Sequence, residues 1–76
     1  MTIDHEKAQK QLGTVIRNNR KELGYSQEAF ASCCGVHRTY MGAVERGERN
    51  ISLMNIIRVA TALKIKPSEL LALAKL

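Results

Sequence analysis

The chain has 76 residues, 12 of them Lys or Arg and 7 Asp or Glu, for a net charge of +5. One domain of this size buries only ~60% of its unfolded surface, and its basic balance favours an anionic partner such as nucleic acid or a membrane surface. No stretch reaches the ~20 apolar residues of a membrane span, the polar start MTIDHEKAQKQ is not expected to be a signal peptide, and adjacent Cys33 and Cys34 offer neither a disulfide framework nor metal-ligand spacing.

The expected architecture is all-α, with five short helices in a single domain spanning residues 1–76. Residues 1 to about 6 are expected to fray. A first helix then runs from about Lys7 to Leu23, with Leu12, Val15, Ile16 and Leu23 on one stripe and Gly24 as its stop. Ser26 caps a second helix that ends at Cys34, with Glu28 on the positive end of its dipole. Gly35 permits a sharp turn through a positive φ. A third helix begins near His37 and ends at Gly47. Phe30, Cys34, Val36, Met41 and Val44 are spaced to face one another inside this corner, and small Ala31 lets the two helices approach. Two short helices about a glycine turn, over about residues 26–47, form the pattern of a DNA-binding helix-turn-helix. Cys34 is expected to face the core and Cys33 water, where an inert thiol suits a reducing cytoplasm.

After the polar loop Glu48-Arg49-Asn50, Ser52 caps a fourth helix running to about Leu63. Leu53, Ile56, Ile57, Ala60 and Leu63 are expected on its inner face. Pro67 suits the first position of a fifth helix. Its leucines, Leu70, Leu71, Leu73 and Leu76, make it unusually apolar for a chain end. One face of so short a helix can serve its own core, so these leucines and Ile65 are expected to form the seam of a homodimer across residues 52–76.

The segment LGTVIRNNRKELGYSQEAFASCCGVHRTYMGAVERGERNISLMNIIRVATALKIKPSELL, Leu12 to Leu71, resembles the Cro/phage-repressor-like helix-turn-helix family. The marks are Ser26-Gln27-Glu28, the Gly35-Val36 turn, Val44-Glu45-Arg46-Gly47 and the spacing of Leu53, Ile56, Ile57, Ala60 and Leu63. His37-Arg38-Thr39-Tyr40 and Arg49-Asn50-Ile51-Ser52 are most similar to controller proteins of restriction–modification systems. The resemblance implies a sequence-specific transcriptional regulator that binds a palindromic operator in double-stranded DNA as a homodimer and blocks or recruits RNA polymerase. A phage-type repressor, an antitoxin or a protein-interaction module stays open beside it.

Base contacts are expected from Arg38, Thr39 and Tyr40 at the start of the recognition helix. An arginine fork matches guanine O6 and N7. Phosphate contacts are expected from Gln27 at a helix N-terminus and from Arg46, Arg49 and Asn50 beyond the recognition helix. Small Gly42 and Ala43 would allow close approach to DNA. In related repressors the Ala43 position often carries a long base-reading side chain, so alanine moves reading toward the helix start. The resemblance also implies a structural ion pair between Arg20 and Glu45. No glycine-rich phosphate loop is present, and His5 and His37 lack a paired nucleophile. No enzyme activity, cofactor or metal is therefore expected.

Overall fold

The computed structural model describes residues 4–76. Among them there are five helices and no strand: α1 (His5–Glu22), α2 (Gln27–Cys34), α3 (Arg38–Glu45), α4 (Leu53–Ala62) and α5 (Pro67–Leu73). α1 packs on α3 and α5, α2 on α3 and α4, and α4 on α5. The core they enclose is mostly aliphatic, centred on Ile16, Phe30, Met41, Val59 and Leu70. The ring of Tyr25 tilts against Phe30 at 5.6 Å between centroids.

Local chemistry sets the helix limits. Asp4 Oδ1 accepts from the Lys7 amide at 3.0 Å, so α1 starts at His5 and residues 4–6 are not frayed. The expected fraying of residues 1–3 lies outside the described residues. Ser26 and Ser52 cap α2 and α4 by accepting from Ala29 and Asn55. Gly35 closes α2 at φ 73°, and Pro67 opens α5. α4 is capped by Leu63 and followed by Lys64 at φ 63°, a left-handed position held by a non-glycine residue.

The inner stripe of α4 departs from expectation. Ile56, Val59, Ala60 and Leu63 face the core, whereas Leu53 is 68% exposed and Ile57 is also exposed. The two stripes are one residue apart on the helix, and packing against α2 and α5 selects the one containing Val59. Leu23 leaves the α1 stripe as an exposed C-cap residue. Leu70, expected at a dimer seam, is fully buried within the protomer.

α1 and α3 meet closely because of a glycine. A Cβ on Gly13 would collide with the Val44 carbonyl oxygen and lie 2.7 Å from that of Glu45. Beside this approach sits a buried ion pair. Arg20 Nε donates to Glu45 Oε2 at 2.8 Å and Arg20 Nη2 to Glu45 Oε1 at 3.0 Å. The two side chains are only 8% and 3% exposed. Arg20 Nη1 also donates to the Tyr25 carbonyl at 2.8 Å, and Gln27 Nε2 to Glu45 Oε1 at 3.2 Å. The pair thus ties α1, the α1–α2 link and α2 to the last residue of α3.

Removing one member leaves the other buried without its partner, which costs about 3–5 kcal/mol. Arg20→Met and Glu45→Gln are each expected to lower the unfolding free energy measured in urea. The double variant is expected to lose less than the sum of the two. Strict additivity would mean that the two side chains do not act as a unit.

Candidate nucleic-acid interface

The helix-turn-helix is built from α2, the turn Gly35-Val36-His37 and α3. The Val36 amide donates to the Ala31 carbonyl at 3.0 Å, folding the turn back on α2. His37 caps α3: its Nδ1 accepts from the Thr39 amide at 3.2 Å. Met41 and Val44 anchor α3 in the core, and Glu45 anchors its end. The opposite face of the first turn, Arg38 and Thr39, stays in solvent.

Two exposed arginines at the ends of α3 already hold carboxylate partners. Arg38 Nη1 lies 3.3 Å from Glu28 Oε2 on α2, both side chains well exposed. Arg46 grips Glu48 through two hydrogen bonds, Nε to Oε2 at 3.0 Å and Nη2 to Oε1 at 3.2 Å. This contact raises the Arg46 guanidinium above its ordinary range and holds the Glu48 carboxyl below its own. Exposed pairs are worth ~0–1 kcal/mol, so a phosphate or a base edge can take either arginine. Arg49 has no carboxylate partner among the described residues; its guanidinium carbon lies 5.7 Å from the Tyr40 ring centroid. Asn50 is exposed in the loop that follows.

Tyr40 and Gln27 differ from simple surface readers. Tyr40 is half-buried, and its Oη accepts from Asn55 Nδ2 of α4 at 3.0 Å. The Gln27 side chain turns inward to Glu45, leaving its backbone amide at the exposed start of α2. Gly42 and Ala43 are both buried. A Cβ on Gly42 would sit 3.1 Å from Arg46 Nη1 and 3.2 Å from Gln27 Oε1, so a side chain there would press on both. Ala43 is 8% exposed.

Sequence reasoning missed Asn55 and Arg58, and the pairing of Glu28 with Arg38 and of Glu48 with Arg46. Glu48 lies two residues from Arg46, but Glu28 lies ten from Arg38 across the turn, and no periodicity marks either pairing. Asn55 lies fifteen residues from Tyr40, a pairing that only the packing of α4 creates. Cys33 is exposed and Cys34 buried. Burial and the adjacent Cys33 push the Cys34 thiol up to about 11, far from the reactive thiolate range. No cluster of three metal-ligating side chains occurs among the described residues. No described helix is long and apolar enough to cross a membrane.

A helix-turn-helix family model matches residues 16–70. Control protein C.BamHI of Bacillus amyloliquefaciens is 50% identical over 60 residues, covering 78% of this chain and 74% of that one. Control protein C.SmaI of Serratia marcescens is 45% identical over 60 residues, covering 79% and 71%. The crystal structure of the restriction–modification controller protein C.AhdI from Aeromonas hydrophila superposes with a TM-score of 0.84 at 47% identity. That match covers 90% of this chain and 99% of that one. The chain is therefore a member of the helix-turn-helix family of DNA-binding transcription regulators.

Proposed function

We propose that the protein is a restriction–modification controller: a homodimer that binds a two-fold symmetric operator and sets transcription of the operon it controls. The observation that carries this reading is the exposed start of α3 on a rigidly anchored helix, together with the similarity to control proteins over most of the chain. Arg38 and Thr39 read base edges from the major groove. Arg46, Arg49, Asn50 and the Gln27 amide hold the flanking phosphates, which position the protein without reading sequence directly. Half-sites about one helical turn apart, ~10 bp, would meet two such helices.

Exposed apolar side chains support the dimer. Leu53, Met54 and Ile57 occupy one side of α4, and Leu73 and Leu76 stand in solvent at the end of the chain, Leu73 being 53% exposed. Ile65 and Leu71 are half-buried beneath. A two-fold axis would make such surface self-complementary. Leu70 has no surface left to contribute.

Two outcomes are expected. Arg38→Ala retains weak binding but loses the preference for a duplex enriched from a random pool by the parent protein, at ~1–3 kcal/mol for a bidentate guanine contact. Titration of the enriched and a random duplex at one salt concentration checks it; an unchanged ratio removes Arg38 from the base readers. Leu73→Asp shifts the parent from dimer to monomer in sedimentation equilibrium. A parent that is already monomeric at micromolar concentration contradicts the dimer.

A further inference from the structure

Behind α3, three side chains form a hydrogen-bond chain with a fixed direction. Arg58 Nη1 donates to Asn55 Oδ1 at 3.3 Å, and Asn55 Nδ2 donates to Tyr40 Oη at 3.0 Å. A guanidinium can only donate. It therefore settles which way the Asn55 carboxamide faces: oxygen toward Arg58, NH2 toward Tyr40. The Tyr40 oxygen is then an acceptor on its inner side, and its own proton must point elsewhere. Among the described residues no side chain or carbonyl takes that proton. Polarisation along the chain, starting from a cation, strengthens the free O–H as a donor.

The surroundings suit an anionic acceptor. Tyr40, in the third position of α3, packs against the core yet is only partly buried, and keeps some of its surface in solvent. Arg49 lies against the same ring with no carboxylate partner among the described residues. A neutral donor and a cation thus stand side by side at the edge of the candidate interface.

We propose that Asn55 is a positioning residue for DNA binding. By occupying the acceptor side of the Tyr40 hydroxyl, it turns that hydroxyl outward as a donor, and Tyr40 and Arg49 together clasp one backbone phosphate. The proposal rests on the DNA-binding reading above. It moves Tyr40 from the base readers to the phosphate contacts, and it gives α4 a part in DNA binding that its exposed residues alone do not suggest.

Asn55→Asp tests it with almost no change of shape. A carboxylate still accepts from Arg58 but cannot donate, so the Tyr40 proton swings inward to it and the DNA-facing donor disappears. An acid in the first turn of α4 also suits the helix dipole; circular dichroism melts check the fold. Binding to a random-sequence duplex is measured by fluorescence anisotropy. Asn55→Asp and Tyr40→Phe are each expected to weaken it roughly ten- to a hundredfold, the scale of one lost hydrogen bond to a charged group. In the Tyr40→Phe background, Asn55→Asp should add nothing. Asn55→Ala, which leaves the hydroxyl free to rotate, should give a smaller loss that also vanishes in that background.

Parental affinity in Asn55→Asp overturns the proposal. So does a loss that persists in full in the Tyr40→Phe background, because repulsion or a direct contact by Asn55 would then be its cause. Losses confined to the enriched duplex place the hydroxyl on a base edge and overturn the phosphate assignment. A parent that binds no duplex at all refutes the DNA-binding reading itself, whatever the variants do.

Discussion

The Arg20–Glu45 pair is the constraint on which the rest of the molecule depends. Two charges are taken out of water in a protein too small to waste stability. The cost of such burial is offset only when the geometry is good and further hydrogen bonds answer the charged groups. Here each guanidinium nitrogen and each carboxylate oxygen has a partner: Glu45 receives three N–H groups from Arg20 and Gln27, and Arg20 has a further acceptor in the Tyr25 carbonyl. No buried side-chain nitrogen or oxygen among the described residues lacks a partner. The result is a joint between α1, α2 and the end of α3. A recognition helix of eight residues is too short to hold its own angle. Fastening its last residue fixes that angle, and the first turn projects outward as a consequence.

Around this joint the backbone is cut to fit. Glycine at position 13 lets α1 lie against the last carbonyls of α3, and Gly47, at φ 76°, turns the chain away beside Lys10. The exterior follows a different rule. Arg38 and Arg46 rest on nearby carboxylates in weak, solvated pairs. A free arginine would attract any polyanion, since non-specific affinity for DNA comes from the charge neutralised at phosphates. Pairing lowers that background. A base edge or phosphate that fits the guanidinium geometry can still displace the acid at small expense.

Much of this was legible in the sequence because it rests on local chemistry. Ser26, Ser52, Gly35 and Pro67 announce helix ends through hydrogen bonds and φ preferences that need no tertiary structure. The corner around Phe30, Met41 and Val44 follows from helical periodicity. Asp4 carried a capping signal that a frayed-terminus reading passed over. The α4 stripe failed for a physical reason: apolar residues cover more than one face, and only contact with α2 and α5 distinguishes the Val59 side from the Leu53 side. Leu70 failed in the same way, since a run of leucines does not say which one faces inward. The chain from Arg58 through Asn55 to Tyr40 was beyond reach, because it joins α4 to α3 across a packing that periodicity alone does not define.

The most direct test of the account is selection of bound duplexes from a randomised pool by the unmodified protein, followed by sedimentation of the complex with the enriched sequence. The account predicts enriched sequences with two-fold symmetry, half-sites ~10 bp apart, and two protomers bound per site. A pool that stays random through successive rounds, or an enriched asymmetric sequence bound by one protomer, would contradict it.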